Sequence, residues 1–413
     1  MKYLIIGNSA AGTAGAEAIR RQDPQGEIIM ISRDTRFYSR CQLHLVAAGK
    51  RTAEQADFLP ENWAGRYRVD LQLGISVTGI DALGKQVHCD DGRKISYDRL
   101  LYTTGSRSAL PPVDGMQGPG VYGLRDLADA EQLGEIFREK KHIVIIGGGL
   151  VGSELAEALK LVGHPSVSLV EMAPYPLPLQ LESVAGGLLR RLMEQNGVAM
   201  YCGDGVTRVE RSADGQVVAV HLKSGNRLPA DLIVAAAGVR PNTELLAALG
   251  ADCNRGIVID EHCRTSLPDI FAAGDVTECR DTTLDRVMGS AIWPAARKQG
   301  RVAGTNMAGG EASLQDHTGL RASVTLFGTS FVSVGAIFNP DPAWQKDVYQ
   351  YTDSRGRLCG KVCFTDDRLI LKAAILWGDV SQAGLYGDAV IKRRKLGDLA
   401  PQAAPDYLLA EVG

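Results

Sequence analysis

Hydrophobic positions come along this chain in short, wholly apolar runs rather than in the alternation of a strand with one wet face. Lys2–Ile6, Glu27–Ile31, His142–Ile146 and Val167–Val170 are each four or five residues, rich in Ile and Val and with little polar interruption. Runs of this kind predict strands of a parallel sheet covered on both faces. Between the first two, and again between the second two, lie glycines followed by a stretch of small and helix-forming residues. The helices are expected to run to about Arg21 in the first case and from Ser153 to Val162 in the second, the latter closed by Gly163. Strand, glycine turn, helix and strand therefore occur twice, which predicts two parallel α/β folds. After Glu171 the pattern predicts a helix near Gly186–Asn196, strands through Val206–Leu222, and an apolar strand from Leu232 to Gly238. From about His317 it becomes strand-rich, with Val324–Leu326, Val332–Ile337, Val348–Thr352, Leu358–Phe364 and Leu369–Trp377, which predicts a separate α+β unit at the C-terminal end.

The glycines define the chemistry of the two α/β folds. In the second, Gly147 permits the tight turn, Gly149 lets backbone N–H groups approach a pyrophosphate, and Gly152 lets the helix pack close to its strand. Leu150 and Val151 complete that loop, and Glu171 stands at the end of the next strand, near the ~20-residue offset at which an acid meets a ribose. Glu171 is expected to accept from ribose hydroxyls and to repel a 2′-phosphate, favouring NADH over NADPH. In the first fold the same spacing reads Gly7, Ser9, Ala10, Ala11 and Gly12, with Ser9 in the middle glycine position. The strand that follows ends at Ser32-Arg33-Asp34, so Asp34 is a provisional adenosine-ribose ligand. Two nucleotide folds imply two nucleotides, which points to a flavin and a nicotinamide, with FAD on the N-terminal fold. The fold class expected is α/β: two Rossmann-like nucleotide-binding domains (FAD and NAD) plus a C-terminal α+β domain.

Charge and cysteine usage narrow the partners. A formal net charge of −3 with 23% charged residues offers no basic field for nucleic acid or an anionic membrane. The longest apolar runs are far short of the ~20 residues of a membrane helix, and no secretory signal is evident, so a cytoplasmic protein is expected. The eight cysteines contain no C-x-x-C pair, so neither a disulfide framework nor a metal site is expected. The run Lys392-Arg393-Arg394-Lys395 is read as a solvated helix face, with a docking patch as the alternative.

Five segments taken together, GNSAAG from Gly7, YDRLLYTTGS from Tyr97, GGGLVGSELA from Gly147, AAGVRPN from Ala236 and DIFAAGDV from Asp269, resemble the FAD-dependent pyridine nucleotide-disulfide oxidoreductase superfamily along essentially the whole chain. Within it, RFYSRCQLHLVAAG from Arg36, IWPAARKQGRVAG from Ile292 and FGTSFVSVGAI from Phe327 look most like NADH:rubredoxin reductases and the flavin part of NADH-dependent nitrite reductase. The resemblance implies that Asp275 binds the ribityl chain, a role its place at a strand's carboxyl end also suits. It implies that Thr104 and Gly105 sit by the FAD and that Arg40 lies near its pyrophosphate. It adds Ser32, Arg33, Arg107, Gly274 and Trp293 to the FAD set and Gly238 to the NAD set. It also puts Glu154 near the contact between flavin and nicotinamide. Where ferredoxin reductases resembling this chain place a lysine beside the flavin, this chain has Leu45, next to His44. Cys41 falls where NADH oxidases, NADH peroxidases and coenzyme A-disulfide reductases carry one redox cysteine, but Gln42-Leu43-His44 departs from their pattern. A redox thiol and a packing thiol both stay open for Cys41.

The expected division is an FAD domain of residues 1–110 and 241–316, an NAD domain of 111–240 and a C-terminal interface domain of 317–413. The expected function is hydride transfer from NADH to FAD and delivery of electrons to a small redox protein of rubredoxin or iron–sulfur type, by a monomer or homodimer. A single-cysteine NADH oxidase, peroxidase or coenzyme A-disulfide reductase acting on a small-molecule acceptor through Cys41 is one alternative. A non-catalytic flavin-binding regulatory subunit is the other.

Overall fold

The first apolar run forms the central strand of a five-stranded sheet. Across that sheet the order is Ile270–Ala272, Arg99–Tyr102, Lys2–Ile6, Glu27–Ser32 and Val69–Leu73, every neighbouring pair parallel. Leu4, Ile5, Met30, Ile31, Leu100 and Leu101 are entirely withdrawn from water, as continuous apolar strands require when both faces are covered. One cover is a helix pair, Ala10–Gln22 against Trp293–Met307, held close by small residues. A Cβ placed on Gly300 would lie 2.1 Å from the Ala11 carbonyl oxygen, and one on Gly304 would lie 2.3 Å from that of Gly15. The alanine and glycine spacing in these two segments is thus a packing requirement. The computed structural model describes residues 1–399 apart from 316, 317, 319, 338–340 and 355.

The second fingerprint lies in a different sheet, ordered Val198–Cys202, Ser166–Glu171, His142–Ile146, Leu232–Ala235 and Val121–Gly123, again parallel throughout. Both sheets have the fingerprint strand at the centre, flanked on one side by the two strands that follow it. Helix Leu150–Leu161 starts directly after Gly149, three residues earlier than the sequence reading, so Gly152 lies inside its first turn. Helix Ser183–Gln195 is capped by buried Glu182, whose side chain accepts from the Val184 and Ala185 N–H groups.

The C-terminal strands form an antiparallel sheet, Arg321–Leu326, Thr329–Gly335, Leu371–Trp377, Leu358–Thr365 and Gln345–Thr352 in spatial order, covered by helix Ala383–Ile391. Residues 400–413 of the expected C-terminal domain lie outside the described residues. The basic run starts where that helix ends: Lys392 is its C-cap, Arg393 has left-handed backbone, and Lys392 and Arg394 both pair with Asp388. The run is exposed, as a solvated surface requires, but at the helix terminus rather than on a helix face, the end where the helix dipole favours cations.

Contacts group the chain into two compact units. One holds residues 1–41, 53–107 and 239–319; the other holds 42–52, 108–238 and 320 onward. Residues 42–52, expected with the FAD domain, thus group with the second unit, where the short helix Leu43–Ala47 packs on helices Leu127–Phe137 and Leu150–Leu161. No helix among the described residues is long and apolar enough to cross a membrane. Nor is any group of three His, Cys, Asp or Glu among them placed to hold a metal.

Candidate functional site

Each glycine turn is built to the same steric plan. Gly7 has φ +107° and Gly147 φ +108°, backbone that side chains with a Cβ rarely adopt. A Cβ on Gly7 would meet the Thr103 carbonyl oxygen at 2.3 Å, and one on Gly147 would meet that of Ala236 at 2.4 Å. The third glycine of each motif faces the first: a Cβ on Gly12 or Gly152 would lie 2.0 Å from the carbonyl oxygen of Gly7 or Gly147. Helix Ala10–Gln22 and helix Leu150–Leu161 therefore begin hard against their turns, with their first N–H groups converging there. At the middle position a Cβ on Gly149 would meet nothing within 4 Å. That open space is where a pyrophosphate fits, so the residues present suit a dinucleotide. Ser9 holds the equivalent place with extended backbone, and its side chain makes no capping bond. Val151, on the second loop, is 41% exposed, and Leu150 is half-buried.

The two turns differ at the end of the next strand. Glu171 Oε2 accepts from the Gly148 N–H at 2.7 Å and its Oε1 from the Ala173 N–H at 2.7 Å. The carboxylate is thereby fixed at the lip of the glycine turn with other lone-pair directions left to accept hydroxyls. In the first fold that place belongs to Ser32, whose buried hydroxyl donates to Asn8 Oδ1 at 3.0 Å, while Asn8 Nδ2 donates to the Arg36 carbonyl. Asn8 follows Gly7 as Gly148 follows Gly147. Sequence reasoning passed over it, although an amide beside a turn that lacks an acid was the available signal. Asp34 Oδ2 accepts from Tyr38 Oη at 3.0 Å and Arg40 at 2.8 Å, and exposed Arg33 lies 3.9 Å from its other oxygen.

Thr103, Thr104, Gly105 and Asn242 form the second wall of the first fold. Thr103 Oγ1 donates to the Ile6 carbonyl, Thr104 Oγ1 to the Asn242 carbonyl, and Asn242 Nδ2 back to Thr104. Gly105 takes φ +66° and accepts from the Asn242 N–H. Arg107 is exposed and engaged by Asn242 Oδ1 and Glu244. Asp275 follows Gly274, whose φ of +88° and N–H bond to Gln299 Oε1 fix the end of the strand; Ser106 donates to Asp275 Oδ2 at 3.3 Å. Gln299, only 1% exposed and also bound by Thr277, is a positioning residue the sequence did not single out. Half-buried Trp293 sets its ring edge-on to Phe58, with centroids 4.8 Å apart. Gly238 has φ +109° and open space around it.

Glu154, on the second turn of helix Leu150–Leu161, faces His44, whose Nδ1 is 3.6 Å from Glu154 Oε2. Burial, with Glu157 adding to it, pushes the Glu154 carboxyl up to about 7. Burial, helped by Lys50 and Arg51, brings the His44 imidazole down to about 4. The separation would suit an ion pair, but desolvation moves the two groups in the directions opposite to mutual charging, so it outweighs their attraction. Leu45, beside them, is half-buried.

Cys41 is exposed in the single turn Arg40–Gln42. Among the buried thiols, burial raises Cys279 to about 11 and Cys363 to about 12, and lifts Cys263 well above its ordinary value.

A family model described as pyridine nucleotide-disulphide oxidoreductase matches residues 1–300. The chain is 31% identical over 371 residues, 89% of its own length and 86% of the relative's, to the NADH-dependent phenylglyoxylate dehydrogenase subunit epsilon of Aromatoleum evansii. It is 28% identical to the assimilatory nitrate reductase electron transfer subunit of Bacillus subtilis, over 96% of this chain but only half of that longer protein. Among solved structures, NADH:rubredoxin oxidoreductase from Clostridium acetobutylicum superposes with a TM-score of 0.77 at 26% identity, covering 97% of each chain.

Proposed function

Since the chain belongs to the pyridine nucleotide-disulphide oxidoreductase family, matched over residues 1–300, and is thus an FAD-dependent NAD(P)H oxidoreductase, we propose that NADH is its donor and a small rubredoxin or iron–sulfur protein its acceptor. The observation that carries the proposal is the pair of matching glycine cradles, only the second of which has a carboxylate, Glu171, latched at its lip. The three-domain division, with FAD on the N-terminal fold, NAD on the fold of Gly147 and a C-terminal domain from residue 317, goes with it. When bound, FAD would accept hydride from NADH and release electrons singly.

The chain's own residues would hold and orient the two nucleotides. The loop of Gly7, Ser9, Ala10, Ala11 and Gly12 would present helix N–H groups to the FAD pyrophosphate, with Asp275 on its ribityl chain. Thr104, Gly105 and Gly274 would line the same cofactor, with Arg40 and Trp293 beside it. Gly147, Gly149 and Gly152 would do for NADH what Gly7 and Gly12 do for FAD. Glu171 would accept from the adenosine ribose and oppose a 2′-phosphate, whose charge it would face at close range. Glu154 would lie toward the nicotinamide. The names of the relatives support a protein acceptor: one is an electron transfer subunit and another an NADH:rubredoxin oxidoreductase. Cys41, exposed and so not the packing thiol of the sequence expectation, would then take no part in electron transfer, and the chain would act in the cytoplasm as a monomer or homodimer.

The test is anaerobic addition of NADH, and separately NADPH, to the FAD-loaded chain. Bleaching of the flavin band near about 450 nm by NADH at low concentration, followed by stoichiometric reduction of added rubredoxin or ferredoxin, is the expected result. Absence of bleaching by either nucleotide would leave a regulatory subunit. Bleaching followed only by consumption of oxygen or of a disulfide would move the assignment to the thiol-dependent branch.

A further inference from the structure

His44 and Glu154 are part-buried titratable side chains in contact with each other, and both belong to the same compact unit as the second glycine turn. Glu154 is the fifth residue of helix Leu150–Leu161, so its Cα lies about 6 Å along the axis from that of Leu150. Its side chain is 23% exposed and that of His44 12%. The groups that face them are few. Helix Leu150–Leu161 adds Glu157, which accepts from the Phe327 N–H in the turn of the C-terminal sheet. The chain after helix Leu43–Ala47 adds exposed Lys50 and Arg51, the latter bonded to Gln42. Helix Leu127–Phe137 contributes no such group at the contact: Gly134 approaches the Ala47 carbonyl, Asp129 is occupied in a capping box, and Glu131 and Glu135 are exposed. Among the described residues, no cation is seen within ion-pair distance of Glu154 apart from what His44 would become on protonation.

We propose that His44 and Glu154 act as a dyad holding a single proton, and that loss of this proton shifts the neighbouring fold's preference from the reduced nicotinamide nucleotide to the oxidised one. This rests on the reading that the fold of Gly147 takes NAD(H). While the dyad holds its proton, both side chains are neutral: the carboxylic acid of Glu154 carries it, and the imidazole of His44 stands 3.6 Å away as its neutral neighbour. The acid ionises near neutrality, because burial has raised it to about 7, while burial keeps the imidazole of His44 neutral across that range. Passing upward through that range, the dyad gives one proton to solvent and changes charge from 0 to −1. Loss of hydride turns the nicotinamide ring from neutral to cationic, so a Glu154 carboxylate lying toward that ring, as proposed above, would stabilise NAD⁺ and leave NADH nearly untouched. Exposed Lys50 and Arg51 offset that charge only through solvent, so it acts through a partly dry medium, and the expected gain in NAD⁺ affinity is on the order of tenfold.

The experiment is binding of NAD⁺ and of NADH to the FAD-loaded full chain, by calorimetry from about pH 6 to about pH 8, with infrared spectra across the same range. In the parent protein NAD⁺ should tighten on the order of tenfold with rising pH while NADH changes little, and a protonated-carboxyl band should fade over the same interval. Glu154→Gln should flatten the NAD⁺ profile and remove the band. His44→Gln and His44→Leu should move the midpoint, because each changes the partner that stabilises the neutral acid. A flat profile in the parent, or one that survives Glu154→Gln, overturns the charge switch. A midpoint unmoved in both His44 variants, with FAD content and melting temperature like the parent's, overturns the dyad. If neither nucleotide binds at any pH, the assignment of NAD(H) to this fold has failed, and the dyad's role with it.

Discussion

Gly149→Ala separates ligand binding from folding better than any other change in the two cradles. A methyl there meets no protein atom within 4 Å, and the backbone φ of −71° is one that alanine adopts without strain. Replacing Gly by Ala at a helix N-cap costs about 1 kcal/mol, so the melting temperature should fall by no more than about 4 °C and the FAD content should stay close to the parent's. The methyl instead enters the space left for the pyrophosphate, pushing the nucleotide off the helix N–H groups by about a methyl radius. Misplacement of this order, near 1 Å, is enough to lower NADH-dependent flavin reduction by about a hundredfold. Gly152→Ala is the contrast. Its Cβ would sit 2.0 Å from the Gly147 carbonyl oxygen, so the turn must move by about 1 Å to reach the closest spacing that real Cβ atoms show. Alanine's gain of about 1 kcal/mol in helix propensity offsets only part of an overpacking cost of about 1–3 kcal/mol, so this variant should lose both stability and NADH. Stopped-flow reduction and thermal melting on the same samples check the pair. A Gly149→Ala protein reduced by NADH at the parental rate and concentration dependence would refute the cradle as the nicotinamide nucleotide site.

Glu171→Ala should raise the KM for NADH by on the order of tenfold, about one charge-assisted hydrogen bond, and should bring NADPH toward parity; an unchanged NADH-to-NADPH ratio would strip Glu171 of its role. Cys41→Ser should leave NADH-dependent reduction of a small redox protein within about twofold of the parent, and loss of acceptor reduction with flavin bleaching intact would instead make Cys41 a redox thiol. Glu182→Ala should destabilise the second unit by about 1–3 kcal/mol, since the side chain is 8% exposed, caps helix Ser183–Gln195 and pairs with Lys346 at 2.6 Å. Burial opposes ionisation of Glu182, but Lys346 and the Ala185 and Val184 N–H groups more than offset it, so its folded pKa lies below the ordinary value. Its stabilisation should accordingly be full above the unfolded value of about 4.3 and fade as pH falls from there through the folded value; denaturant midpoints of parent and Glu182→Ala that converge with acid would check this, and a constant gap would refute it.

What the sequence made legible followed from local rules. Apolar strands, glycine turns and the small-residue helices Ala10–Gln22 and Leu150–Leu161 obey constraints set within about thirty residues, and a Cβ 2.0 Å from a carbonyl leaves only glycine at Gly12 and Gly152. The five-stranded order of each sheet was less accessible, because Ile270–Ala272 joins its sheet beside Arg99–Tyr102, with Ile270 opposite Leu100 across 170 positions of chain, a pairing no local pattern encodes. The same holds for side chains whose meaning lies in a distant partner. Asn8 reads as an ordinary turn residue until Ser32, 24 positions on, is seen to bond it. Gln299 is one polar residue in a helix until Gly274 and Thr277 are found on its amide oxygen. His44 is the extreme case. It lies in RFYSRCQLHLVAAG, a segment whose resemblance to relatives drew attention to Cys41 and to the missing lysine at Leu45, and nothing in its neighbours signals burial against a carboxylate 110 residues away. Helix Leu43–Ala47 turns that histidine onto Glu154, and burial, more than ion pairing, sets the protonation of both. A lysine in this place would hold Glu154 ionised across the neutral range by its permanent charge. An imidazole, close to its own titration range and easily neutralised by burial, leaves the acid free to take up and release its proton.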